Sequence, residues 1–202
     1  MNLTNRKREV WIAILFFVQM ITFAIGSAQI NSFTDSGGSK TALTMGVVLE
    51  ACSGLAVVAI GLLMYRVLKL VNKQLAVWYP VFRVAELTVS AICGIYLLHT
   101  LKVVPNSLLW LYIPTGIGGV LMTYLLYVSK LVPRPIAVLG LIGYAALLIG
   151  VPLDLLGVLR MDKGAGLGLM VPGGLFEFIF FPIWLLAKGF NLPEPAKAPT
   201  LS

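Results

Sequence analysis

Charge is what this sequence has least of. Only 11% of its 202 residues are Asp, Glu, Lys or Arg, whereas 59% are apolar. Soluble domains carry about a quarter charged residues, so an ordinary water-facing domain is excluded. The two cysteines, Cys52 and Cys93, both fall in apolar runs and neither belongs to a C-x-x-C pair, which argues against a disulfide framework and a structural zinc site. The single histidine, His99, cannot supply both axial ligands of a bis-histidine haem. Walker A, G-x-S-x-G and H-E-x-x-H patterns are missing, and Gly164-Ala165-Gly166-Leu167-Gly168 has neither the spacing nor the preceding strand of a dinucleotide fingerprint. No cofactor and no metal is implied.

What is present is apolar sequence in long runs, with a mean hydropathy of +0.95. A bilayer-spanning helix takes about 20 apolar residues, and six such segments fit: about 10–30, 41–68, 76–99, 107–128, 136–159 and 167–187. The fold class is therefore an all-α, polytopic six-helix membrane bundle in one domain, with the bilayer as its solvent and a polar tail at 188–202. Arg6, Lys7 and Arg8 before an apolar run imitate a cleavable signal peptide, but the run is nearer a full span than a signal core and is read as a retained first helix. Turn chemistry marks the linkers. Asp35-Ser36-Gly37-Gly38 lies in a polar loop at 31–40, Pro105-Asn106 follows span three, and Pro133 and Pro135 forbid continuous helix at 130–135.

The net charge of +7 reads as topology rather than nucleic-acid binding. Alternate linkers place Arg6, Lys7, Arg8, then Arg66, Lys69, Lys73, then Lys130, Arg134, and finally Lys188 and Lys197 on one side; the other side has Lys40, Lys102, Arg160 and Lys163. The positive-inside rule then puts both termini in the cytoplasm and the protein in the cell membrane. Trp11, Trp78, Tyr79, Trp110 and Tyr112 at span ends fit interfacial belts.

Three acids at membrane depth are the chemical signal. Glu50, Glu86 and Glu177 each lie roughly 10 residues into a span, near the midplane at about 1.5 Å per residue. A charge there costs on the order of 2.5–3.5 kcal/mol even on the lenient insertion scale, so all three are expected to face the bundle interior. Arg83 stands three residues before Glu86, on the same helical face, and can pair with it. Gly46 and Gly54 flank Glu50 one turn away and permit a close helix neighbour. At helical spacing, Ser53 and Ser90 accompany the acids, and Phe180, Phe181 and Trp184 form an aromatic wall beside Glu177. Pro182 is expected to kink span six at this level. Asp154 and His99 lie at helix ends, where solvation and interfacial hydrogen bonding suffice to explain them.

Three passages, Tyr79-Pro80-Val81-Phe82-Arg83-Val84-Ala85-Glu86, Ser129-Lys130-Leu131-Val132-Pro133-Arg134 running into Val138-Leu139-Gly140-Leu141-Ile142-Gly143, and Trp184-Leu185-Leu186-Ala187-Lys188-Gly189-Phe190-Asn191, resemble a large bacterial family of small membrane proteins known as domain-of-unknown-function family 4386. The resemblance implies six helices. It marks Arg83 and Glu86 as the family's Arg-x-x-Glu, Glu177 as its acid in the last helix, and Lys188-Gly189-Phe190 as its closing motif. Pro135 departs from the Trp common after Pro-Arg. The family implies no activity.

Three functions fit the residues. The leading one is a binding or transport bundle in which Glu50, Arg83, Glu86 and Glu177 line a cavity for protons or for a small or lipophilic cation. No internal repeat is visible, so transport by six helices calls for a homo-oligomer. The second is an intramembrane enzyme acting on a lipid or isoprenoid, with a protonated glutamate as general acid and Phe176, Phe178, Phe180, Phe181 and Trp184 as candidates to line or flank an apolar substrate site. The third is a non-catalytic accessory subunit whose polar cluster only holds its helices together.

Overall fold

The computed structural model describes residues 3–191; the polar tail beyond them, with Lys197, lies outside the described residues. The regular elements among these residues are all helical: α1 (Leu3–Ser36), α2 (Lys40–Leu68), α3 (Lys73–Ala76), α4 (Trp78–Thr100), α5 (Ser107–Ser129), α6 (Arg134–Leu155), α7 (Ala165–Leu175) and α8 (Phe181–Ala187), with a π-helical turn, Phe176–Phe180, joining the last two. Six helical segments among the described residues are long and apolar enough to cross a membrane, the sixth being α7, the π turn and α8 together. The protein is a multi-pass membrane protein.

Some boundaries differ from the sequence reading, each for a local reason. The polar stretch expected as a loop from residue 31 stays helical to Ser36, because nothing breaks the helix before Gly37, whose φ of 67° is the left-handed conformation glycine tolerates. The chain turns in residues 37–39, and the Ser39 side chain accepts from the Ala42 N–H at 3.1 Å to cap α2. Span three begins earlier, at the short α3, where the Asn72 side chain accepts from the Leu75 N–H at 3.0 Å. Span five stops at Leu155 rather than 159. The Asp154 carboxylate accepts from the Met161 N–H at 2.6 Å and ties down the following loop, a structural part beyond the solvation expected of it.

In span six the kink expected of Pro182 takes the form of the π turn. The Phe181 N–H bonds back to the Phe176 carbonyl, five residues away, which widens the backbone where the proline ring would otherwise meet the Phe178 carbonyl.

The spans pack in a ring: α1 on α2, α2 on α4, α4 on α5, α5 on α6, α6 on α7, and α8 back on α1. Small residues set the closest approaches. A Cβ on Gly26 would lie 2.8 Å from the Gly46 carbonyl oxygen, and one on Gly46 equally close to that of Gly26, so α1 and α2 touch backbone to backbone. The ring closes unevenly, however. α8 packs on α1, whereas α7, the other half of the same span, makes no comparable contact with it.

The apolar core follows that asymmetry. Ile12, Phe16, Met64, Leu68, Tyr79, Leu126, Phe181 and Leu185 are among its fully buried members. They lie toward the basic end of the bundle, where the chain enters α1 and leaves α8.

Candidate functional site

The buried cation comes first because it organises its neighbours. Arg83 is 3% exposed and its Nη1 lies 2.7 Å from Glu86 Oε2. The guanidinium stacks over the Tyr79 ring at 5.0 Å. Its aliphatic stem passes Gly61 of α2, where a Cβ would come within 3.2 Å of Arg83 Cβ and Cγ. The Tyr79 hydroxyl and Arg83 Nε are buried with no hydrogen-bond partner among the described residues.

Glu177, in the π turn, accepts a hydrogen bond from the Tyr144 hydroxyl of α6. The Tyr144 ring occupies the space a side chain on Gly119 of α5 would need, and Gly143 meets the backbone of Gly173 so that α6 and α7 lie close together. Glu177 and Glu86 line the same cavity. Glu50 stands apart from this group. Its Oε1 accepts from the Ser27 hydroxyl of α1 at 2.9 Å, while Ser53, one turn on, donates to the Gln19 carbonyl at 2.9 Å.

Between these groups lies a cavity of about 300 Å³, on whose wall Glu50, Glu86 and Glu177 all appear together with Ser53 and Ser90. A second cavity of about 150 Å³ shares Glu50 and Ser90 with it and continues toward the end opposite the basic one, past Ser27 and Asn31 to Val103 and Val104. The three acids thus line one space but have separate partners, Glu86 with Arg83, Glu177 with Tyr144 and Glu50 with Ser27.

The aromatic wall is corrected. Phe180 is 46% exposed on the bundle surface. Phe181 is buried in the core, stacked on Phe176 at 5.0 Å and edge-on to Phe16 at 5.3 Å. Trp184 packs against that core under Lys188. None of the three lines the cavity; Phe178 does. Regular α spacing from Glu177 would have aimed them at the cavity, and the extra residue of the π turn rotates everything after it. His99 is exposed at the end of α4.

Sequence reasoning also missed Gln19, Thr115 and Tyr144, which line the cavity, and Glu9, which is 3% exposed. An uncharged polar group inside a span is a weak signal. Glu9, however, was an acid beside three basic residues at a span entrance, and its partner could have been sought.

Fold and site together define a class, the polytopic α-helical membrane proteins with a carboxyl-lined cavity inside the bundle. The chain belongs to the family described as domain of unknown function (DUF4386), whose model matches residues 10–108 and 97–189. The match takes in the first two spans as well as the first two motif passages and the third as far as Gly189. No curated protein and no solved structure matches the chain.

Two of those passages meet at the basic end. The Phe190 N–H donates to Glu9 Oε1 at 3.0 Å. Gly189, at φ 77°, passes so close to the Glu9 carboxylate that a Cβ would collide with it. The Asn191 N–H donates to the Leu131 carbonyl at 2.8 Å and its side chain to the Lys130 carbonyl at 3.3 Å. Arg6 pairs with Glu9 at 3.5 Å and donates to the Leu185 and Leu186 carbonyls, which end α8 without helical partners. The closing motif is a clasp joining α1, the α5–α6 linker and α8.

Proposed function

We propose that the chain is an intramembrane binding or transport protein of the bacterial cytoplasmic membrane, with both termini cytoplasmic, whose cavity takes a cation or exchanges protons. The observation that carries this reading is the charge balance of the cavity. Three spans deliver a carboxyl group each to its wall, and among the described residues the one ion pair any of the three makes is that of Glu86 with Arg83. Such an excess attracts positive charge, and in a low-dielectric bundle the attraction is strong. The enzyme reading takes its apolar substrate wall from Phe176, Phe178, Phe180, Phe181 and Trp184, and of these only Phe178 lines the cavity, so the geometry favours binding. A purely structural cluster has no need of the space between the acids.

Ethylamine serves as the test probe because its ammonium group is small and hydrogen-bonding. With the full chain in lipid nanodiscs, equilibrium dialysis should show saturable ethylamine binding. Glu50→Gln and Glu177→Gln, which keep the side-chain shape, should each weaken it about tenfold or more, as loss of a buried charge partner does. Folded protein that takes up no ethylamine, or variants that bind like the parent, would overturn the cation reading.

A further inference from the structure

We propose that the cavity opens sideways into the bilayer between α1 and α7, and that its ligand is a long-chain primary amine that enters from the lipid, ammonium group first. This deepens the cation reading above and rests on it.

The opening follows from how the ring closes. Span six meets α1 through α8 and leaves α7 without comparable contact. The residues on either side of that seam are cavity residues: Met20 and Phe23 from α1, Met170, Gly174 and Phe178 from span six. Phe178 lines the cavity and is 44% exposed, and the neighbouring Ile179 and Phe180 are 43% and 46% exposed, so the cavity wall here adjoins the protein surface. A Cβ on Gly174 would meet only the ring of Phe178, at 3.8 Å, and one on Gly168 would meet nothing. The seam is edged by glycine, methionine and aromatic carbon, which suits an alkyl chain. Met side chains adapt to whatever lies against them.

The chemistry inward from the seam selects the head group. Glu177 and Glu86 lie inside, with Glu50 and Ser90 farther round the wall. Among the described residues no three His, Cys, Asp or Glu groups are placed to hold a metal ion, so a bare divalent cation is poorly served. An ammonium with three donors suits carboxyl and hydroxyl acceptors spread round a wall. A cavity of about 300 Å³ is at the small end of ligand sites, sized for a head group and the start of one chain rather than a two-chain phospholipid. The chain would then lie in the seam and reach the bilayer. At the basic end, the clasp of Arg6, Glu9 and Phe190 and the packed core beneath it bar entry, and the smaller cavity of about 150 Å³ toward the opposite end has less room for an alkyl chain.

The experiment uses the full chain in nanodiscs and two probes, ethylamine and dodecylamine carrying a diazirine at the end of its chain. On irradiation, adducts should concentrate on residues 20–23 and 170–178, and unlabelled dodecylamine should compete them away. Gly174→Phe, which sets a second ring beside Phe178 at the seam, should cut this labelling about tenfold or more in folded protein, the change that about 1.4 kcal/mol of lost binding brings. Ethylamine binding to the parent protein, measured alongside, reports whether the carboxyl groups of the cavity hold an ammonium group at all. Adducts scattered evenly over the lipid-facing helices, or unchanged in Gly174→Phe, alongside intact ethylamine binding would overturn the lateral route and leave the cation site standing. Failure of both amines to bind folded protein would overturn the cation site and this proposal together.

Discussion

The two halves of the bundle are built from the same apolar residue types and differ in what fills the space between helices. At the basic end Phe16, Phe176 and Phe190 pack around Phe181, and Met64, Leu68 and Leu185 are fully buried. At the opposite end α7 contributes glycine along much of its length, and Gly166 is its one fully buried residue. Lipid tails are as apolar as leucine, so helices in a bilayer associate through packing and hydrogen bonds rather than expulsion of water. The half with interlocking side chains and the Glu9 clasp is therefore the half that holds the bundle together. The other half leaves room for a cavity and a seam because its cohesion is supplied elsewhere.

The largest expected effect tests the boundary between the halves. Arg83→Leu leaves Glu86 as an uncompensated buried ion and should cost roughly 3–5 kcal/mol, read as thermal stability in a fixed detergent. Arg83→Leu combined with Glu86→Leu should cost clearly less than the two single changes summed. Strict additivity would mean the pair does not couple.

A direct comparison of the halves comes from two phenylalanines three residues apart in span six. Phe181→Ala removes a ring from the packed core and should cost about 3 kcal/mol, the low end for such truncations, because the unfolded segment keeps its apolar surface in lipid. Phe178→Ala, on the cavity wall and half-exposed, should cost less than about 1 kcal/mol. Equal losses in the same stability measurement would erase the distinction between the halves.

The smallest effect sharpens the comparison at two glycines. Gly189→Ala forces a Cβ into a left-handed conformation beside the Glu9 carboxylate and should cost roughly 1–2 kcal/mol. Gly174→Ala, facing open space, should be neutral or slightly stabilising by the same thermal assay. A neutral Gly189→Ala would show that the clasp does not constrain the end of the chain.

The candidate site was legible only in part, and the reasons are specific. Glu50, Glu86 and Glu177 stand out in sequence because burying a carboxyl at the midplane is costly wherever its helix packs, and the Arg83–Glu86 pair follows from helical spacing alone. Tyr144 and Gln19 do not stand out, since a tyrosine or glutamine in a span costs little and finds a partner only once the neighbouring helix is in place. Phe180, Phe181 and Trp184 leave the face that their spacing from Glu177 predicts for a different reason: helical periodicity holds only while the helix is regular. Glu9 looked like part of a charged span entrance, because its partner at Phe190 is 181 residues away in the chain.

The sequence by itself determined six membrane helices, the charge asymmetry of their linkers and the depth of the three acids, because hydropathy and the cost of intramembrane charge act on each segment independently of its neighbours. Tertiary structure decided which faces meet. The π turn before Pro182 sent the aromatic residues into the core, Gly26 and Gly46 brought α1 onto α2, and the clasp at Glu9 closed one end while the seam beside α7 stayed open. These outcomes depend on the fit between helices remote in sequence, which no single segment encodes.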